Sequence, residues 1–291
     1  MKKRSLLSVI LVLSLVVALF AGCSKKSDSG SKDYDEKKVL RVGMECAYAP
    51  FNWTQETESV PNGDKAVKIY GTDYYAYGYD VMMAKKLADE LGWELEIHKV
   101  EWDSIGLGLD SKDYDCIIAG MGKTAEREIA YDFTDTYYFR DICLTVKKGS
   151  KFDNITKLSD FAGKNAKSTT QLGTAWVELI DQIPDVSVGA NYATTAECFM
   201  AVSNGAADVA VIDLPTSQSA VVNNNDLSIL TLDASDTIDD PTGSTNVCIA
   251  VRKGDSTLKD KLQGAMDKIE WNKEKMDTMM EEAIKLQPAA N

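Results

Sequence analysis

Arg127 and Asp213 set the chemical question. Arg127 lies three residues beyond Thr124, which can cap a helix whose first turn then holds Glu126 and Arg127. A guanidinium there can clamp a carboxylate through two parallel charge-assisted hydrogen bonds. The helix start adds free N–H groups and the positive end of a dipole, as does a second start at Thr174. Asp213 closes an apolar run and can accept from an ammonium. A cation and an anion facing one cleft match the two charges of a free amino acid. Alone, Arg127 reads equally as a surface helix charge, and Asp213 as a cap ahead of Pro215. Their matched places, at the ends of two similar apolar strands, carry the binding reading.

The elements that must position them follow from periodicity. Residues 39–44 form a short apolar strand. Asp80 reads as an N-cap, followed by Val81, Ala84, Leu87, Ala88 and Leu91 at helical spacing, with Gly92 as the stop. Trp93, Leu95 and Ile97 alternate with Glu94, Glu96 and His98, a strand with one wet face. The only histidine is therefore expected on the surface beside two glutamates. A helix over 105–109, a strand over 114–120, a helix from Thr124 and a strand over 139–146 follow. This alternation predicts an α/β domain with a largely parallel sheet. The grammar then repeats: a strand over 164–168, a helix opened by Gly173-Thr174, a helix over 197–203 stopped at Asn204-Gly205, and a strand over 207–213. Residues 114–120 and 207–213 share one pattern of aspartate, apolar strand and polar stop, so two similar α/β lobes are expected. After a strand over 246–251 the chain is helical, and Met266, Ile269, Met276, Met279, Met280 and Ile284 are spaced as a packing face. The polar insertion over 54–76 carries Asn62-Gly63, a hairpin turn signal. It should form a surface flap, and nothing requires its tyrosines (Tyr70, Tyr74, Tyr75, Tyr77) to line a site.

Open α/β sheets bind ligands beyond the carboxyl ends of their strands. That rule selects Glu45 and Tyr48 after the first strand, Tyr79 before the first helix, and Gly120, Gly122 and Arg127 after the third strand. In the second half it selects Gly173, Thr174 and Asp213. Tyr48 and Tyr79 can sandwich an elongated side chain.

The amino-terminal end reads as an export signal. Lys2, Lys3 and Arg4 precede an apolar run over 6–20, shorter than the ~20 residues that span a bilayer. Ala21 and Gly22 then precede Cys23, so residues 1–22 read as a lipoprotein signal peptide and Cys23 as the lipidated, palmitate-bearing anchor. Residues 23–38 are polar and read as a flexible tether. Cleavage takes the formal charge from −13 to about −16. So acidic a body argues against nucleic acid as a partner. About 250 residues remain, enough for one large or two modest domains. Cys46, Cys116, Cys143, Cys198 and Cys248 show no CxxC spacing, so no metal or redox motif and no cofactor are expected. Most sit in apolar strand contexts as buried thiols, and Cys143 with Cys248 is the pair to check for a disulfide.

Four stretches near residues 39–51, 77–80, 114–127 and 131–138 look like the first lobe of the extracytoplasmic polar amino-acid-binding proteins that serve ATP-driven importers, solute-binding protein family 3. Gln171-Leu172-Gly173-Thr174 and residues 208–213 resemble the second lobe, and Thr124-Ala125-Glu126-Arg127 is the most specific piece. The resemblance implies a two-lobed periplasmic-binding-protein type 2 fold with two hinge crossings, near 139–142 and 243–247. Lobe 1 would comprise 39–139 and 247–291, and lobe 2 would comprise 140–246. It implies that Arg127 holds the α-carboxylate, Asp213 the α-ammonium, and Tyr48 and Tyr79 the side chain. It also implies that Glu45 meets a cationic tip, which makes a basic amino acid the first choice and a glutamine-like one the alternative. Three departures stand out. Ala119, Gly120 and Gly122 replace frequent hydroxyl residues, Lys123 replaces an apolar one, and 164–173 is about two residues longer than usual. The implied partners are a transmembrane permease with its cytoplasmic ATPase, on the outer face of the cell membrane, and a monomeric state.

Two other classes compete. Some relatives of this fold dehydrate a cyclic acid with a catalytic carboxylate, a role open to Glu45 or Asp213, but no nucleophile–base pair, metal motif or phosphate loop supports it. A sensor input domain would need a transmembrane and a signalling segment after Asn291, and none follows in this sequence.

Overall fold

The computed structural model describes residues 30–288. The expected signal peptide, Cys23 and most of the tether lie outside them. Two compact units are distinguished, 1–36 and 37–291. Of the first, the described part belongs to a helix, α1 (Gly30–Lys37), where the sequence suggested a flexible tether. No helix among the described residues is long and apolar enough to cross a membrane.

The second unit opens with β1 (Val39–Met44), β2 (Ala47–Tyr48), β3 (Asn52–Gln55), β4 (Val67–Lys68), β5 (Tyr75–Tyr77), α2 (Tyr79–Leu91), β6 (Glu94–Lys99), α3 (Ile105–Asp110), β7 (Cys116–Ile117), α4 (Ala125–Ala130) and β8 (Tyr131–Tyr138). It continues with β9 (Ile142–Lys147), β10 (Lys167–Thr169), α5 (Trp176–Leu179), β11 (Ser187–Val188), α6 (Thr195–Asn204), β12 (Val209–Asp213), α7 (Leu214–Asn223) and β13 (Leu227–Ile229). It ends with β14 (Val247–Arg252), α8 (Ser256–Lys268) and α9 (Lys273–Leu286).

Two five-stranded sheets result, β6-β1-β7-β14-β8 and β11-β10-β12-β9-β13. They share one pairing pattern. In the first, β1 runs parallel to β6 and β7, while β14 is antiparallel to β7 and β8. In the second, β10 runs parallel to β11 and β12, while β9 is antiparallel to β12 and β13. The largely parallel sheet expected from the βα alternation is thus corrected to half parallel. Each sheet contains a strand that the chain reaches on passing from the other lobe, β9 or β14, and that strand runs against its neighbours. Passage between the sheets falls at residues 139–141 and again just before β14. The two crossings are tied together, the Arg140 backbone N–H donating to Asn246 Oδ1 at 3.1 Å.

β8 was not foreseen as a strand. Its charged and hydroxyl residues leave one face half wet, and its pairing partner β14 lies far along the chain. The 54–76 insertion belongs to a third, antiparallel sheet, β2-β3-β5-β4, with its turn at Asn62-Gly63, where Gly63 takes φ 87°. Isolated pairing of Ile69 with Ile97 ties it to β6. His98 is half-buried rather than exposed, because Tyr70 stacks on it at 4.7 Å and Glu96 Oε1 lies 2.6 Å from its Nε2.

Asp80 does not cap α2. The helix begins one residue earlier, at Tyr79, after Gly78, whose φ of 123° suits glycine. The Asp80 carboxylate instead points into the core, where Asn52 Nδ2 donates at 2.7 Å and the Tyr137 hydroxyl at 2.6 Å. The methionine face is core: Met266, Met276, Met279 and Met280 are buried. All five body cysteines are free thiols, so Cys143 and Cys248 are not bridged; they stand on β9 and β14, in different sheets.

Candidate functional site

The carboxyl ends of β1, β6, β7, β10 and β12 converge where the two lobes meet. The cavity there holds about 290 Å³ of space between atoms and is lined by Glu45, Tyr48, Trp102, Gly120, Gly122, Arg127, Arg140, Gln171, Thr174 and Trp176, with Ala119 and Ala175. Of the residues selected from sequence, six line it. Asp213 stands one hydroxyl behind it, and Tyr79 does not reach it.

Local sequence explains the positions. Thr124 Oγ1 accepts from the Arg127 backbone N–H at 3.2 Å, the cap expected from spacing. The Arg127 side chain then crosses the cleft: Nη1 donates to the Gly122 carbonyl at 2.7 Å, and Nη2 to the Gly173 carbonyl at 2.8 Å. Trp102 lies against its guanidinium at 5.1 Å. Gly120 has φ 61°, and a Cβ there would meet the Tyr48 ring at 2.5 Å. A Cβ on Gly122 would meet the Ser244 carbonyl oxygen at 2.4 Å. Glycine is thus required at both positions, because an aromatic ring and the turn before β14 pack directly on the backbone.

Thr174 does not open a helix. Its hydroxyl donates to the Gln171 carbonyl at 2.8 Å, and α5 begins two residues later. Asp213 is the N-cap of α7, accepting from the Thr216 N–H at 2.9 Å, and also accepts from the Tyr48 hydroxyl at 2.5 Å. The cap reading of Asp213 therefore holds, and its second oxygen faces Tyr48. Tyr79 is fully buried beneath the site, its hydroxyl donating to the Tyr137 carbonyl and its ring meeting Phe51 edge-on.

Trp102, Arg140, Gln171 and Trp176 escaped the sequence reading of the site. The rule that selected Glu45 applies equally to the end of β6, where Trp102 follows. Arg140 lies in a stretch recognisable as a crossing, and an Arg140-Asp141 charge pair between two strands there is itself a signal. It is 8% exposed. Its Nη2 donates to the Gly120 carbonyl at 2.5 Å, and its guanidinium lies 5.1 Å from the Phe51 ring and 5.4 Å from the Trp176 ring.

The electrostatics are set by burial. Arg127 is lowered to about 10, first by burial and then by repulsion from Arg140. Burial also works against the Arg140 charge, yet Tyr48, Asp213, Tyr137 and Asp80 hold its pKa above the ordinary value. Glu45 is pushed up to about 7 by burial, with Glu101 and Asp80 adding and the Gln171 amide opposing. That amide donates to Glu45 Oε1 at 3.2 Å, across the cleft.

A pH dependence follows. The folded protein holds the Glu45 proton more tightly than the unfolded chain, whose carboxyl titrates near 4.5. The resulting stability is fully present below that value and is lost as pH rises through about 7. At about 1.4 kcal/mol per pH unit the loss is roughly 3 kcal/mol. Thermal melts should show the wild type losing roughly 6–10 °C more than Glu45→Gln between pH 4 and pH 8. Equal losses would mean that Glu45 ionises freely in the fold.

Comparison with known proteins bears on the family and the fold. The family model for bacterial extracellular solute-binding proteins, family 3, matches residues 40–282. The arginine-binding extracellular protein ArtP of Bacillus subtilis (strain 168) is 29% identical over 276 residues, covering 94% of this chain and 95% of that relative. The ABC transporter glutamine-binding protein GlnH of the same organism is 28% identical over 296 residues, covering 98% and 99%. Among solved structures, the amino acid ABC transporter substrate-binding protein AbpA of Streptococcus pneumoniae, bound to L-arginine, shares the fold. Its TM-score is 0.69 at 23% identity, over 88% of this chain and all of that one. The chain therefore belongs to the bacterial extracellular solute-binding proteins of family 3.

Proposed function

We propose that this protein captures a free amino acid outside the cytoplasm and delivers it to the permease of an ATP-driven importer. The observation that carries the reading is the Arg127–Asp213 pair: Arg127 lines the interlobe cavity as a clamp for the α-carboxylate, and Asp213 stands one hydroxyl behind its wall as an acceptor for the α-ammonium. The ammonium would take the place of the Tyr48 hydroxyl at Asp213. The relatives' names, arginine-binding and glutamine-binding, support an amino acid as ligand. They also favour capture over turnover. The dehydratase alternative would rest on Glu45 or Asp213; Glu45 is bonded to the Gln171 amide, which cannot act as a base, and Asp213 is engaged by Tyr48 and the cap of α7.

In this reading Cys23 carries the lipid anchor and residues 23–38 form the leash. Residues 39–139 and 247–291 form one lobe and 140–246 the other, and the protein works as a monomer on the outer face of the cell membrane. Glu45 supports a basic ligand; Arg140, in the same lining, opposes one.

A thermal-shift panel of the twenty amino acids tests the proposal. A ligand at a hundred times its Kd stabilises by about 2.7 kcal/mol, which is roughly 5–10 °C for a body of this size. At least one amino acid should produce such a shift. Twenty flat responses would remove the amino-acid reading.

A further inference from the structure

We propose that the site selects an amino acid with an acidic side chain, and that Arg140 is the specificity-determining residue that receives the side-chain carboxylate. The inference rests on the amino-acid reading above and names the class of ligand.

The charges on the cavity wall decide it. Two guanidinium groups, Arg127 and Arg140, share the lining with one carboxyl group, Glu45. Asp213 stands one hydroxyl behind the wall, held by Tyr48 and Thr216, and in the reading above it is taken up by the α-ammonium. The wall is therefore cationic. With the α-carboxylate on Arg127 and the α-ammonium on Asp213, the ligand side chain meets Arg140 and Glu45; a basic side chain adds a cation beside Arg140, and an acidic one supplies an anion to it. Burying charge without a partner is costly, so the ligand that balances the wall is favoured.

Arg140 is built to receive that anion. The Phe51 and Trp176 rings lie against its guanidinium, which leaves its edge for hydrogen bonding. Nη2 is held by the Gly120 carbonyl, while Nε is buried with no hydrogen-bond partner among the described residues. Arg140 lines the cavity, so a ligand carboxylate can supply the acceptor that this buried donor lacks. Repulsion between Arg140 and Arg127 points the same way, because a carboxylate between them relieves it. Glu45 does not cancel this demand: burial favours its neutral form, which can itself donate to a carboxylate.

Calorimetry at pH 7 on the purified protein, with L-glutamate, L-aspartate, L-glutamine, L-arginine and L-lysine, tests the proposal. Glutamate or aspartate should bind at least tenfold more tightly than glutamine, arginine or lysine. Arg140→Gln should cost that acidic ligand at least tenfold while changing glutamine less than threefold, and Arg140→Lys should restore part of the loss. The wild-type ranking stands even if a variant fails to fold. Tighter binding of glutamine, arginine or lysine would overturn this inference and leave the amino-acid reading intact. An Arg140→Gln variant that weakens all ligands equally would also overturn it. No binding of any amino acid would overturn both.

Discussion

Arg127→Ala is expected to weaken amino-acid binding at least about a hundredfold while the protein still melts cooperatively. Removing one partner of a buried, hydrogen-bonded charge pair costs about 2–5 kcal/mol in comparable interfaces, and the α-carboxylate would lose both prongs of its clamp. The fold should tolerate the change. Arg127 extends from a six-residue helix, and its protein partners are the Gly122 and Gly173 carbonyls, which water can reach once the cleft opens. Arg127→Lys keeps the charge and loses the planar fork, so it should fall between the two. Calorimetry with the ligand found by the thermal-shift panel measures the binding, and circular dichroism the fold. Wild-type affinity in Arg127→Ala would end the carboxylate role.

Asp80→Ala should give the largest loss of stability, about 2–5 kcal/mol by urea denaturation. The side chain is fully buried and serves two donors, Asn52 Nδ2 and the Tyr137 hydroxyl. Each buried donor left without an acceptor costs about 1–3 kcal/mol. Burial pushes Asp80 up to about 6, against the hydrogen bonds from Tyr137 and Asn52 and the attraction of Arg140. Its removal also takes away the attraction that Asp80 exerts on Arg140. Asp80→Asn keeps the shape but turns one acceptor into a donor, so an intermediate loss is expected. A loss below about 1 kcal/mol in Asp80→Ala would mean that water takes over both donors.

These two residues show what a sequence reveals and what it hides. Thr124 and Arg127 were legible because a cap acts over three residues. Gly92 and Gly205 were legible as stops for the same reason, and both take the left-handed conformation that ends a helix. The matched runs ending at Gly120 and Asp213 announced two similar lobes because a buried strand must be apolar wherever it lies. Asp80 was misread because its acceptors' partners stand 28 and 57 positions away, at Asn52 and Tyr137. Nothing local separates a cap from a buried acceptor. Arg140 was passed over although its stretch was recognised, because its role depends on Gly120, Phe51 and Trp176, brought together by the closure of two sheets. Tyr79 was misplaced by a ring's length. A tyrosine at the start of a helix can face the cleft or lie beneath it, and Phe51 takes the intervening layer.

The free cysteines have a consequence for chemical labelling. Cys46, Cys116, Cys198 and Cys248 are buried, and Cys143 is partly so. Burial pushes the thiols up, Cys46 and Cys143 to about 12 and Cys198 to about 11, so the nucleophilic thiolate is scarce at neutral pH. The described body contains no bridge, so it needs no oxidant to mature, and a reducing buffer leaves its native covalent structure unchanged. Its thiols are silent while it is folded and become reactive when the sheets part. The rate at which they take up a maleimide is thus a built-in clock for opening, available without inserting a probe.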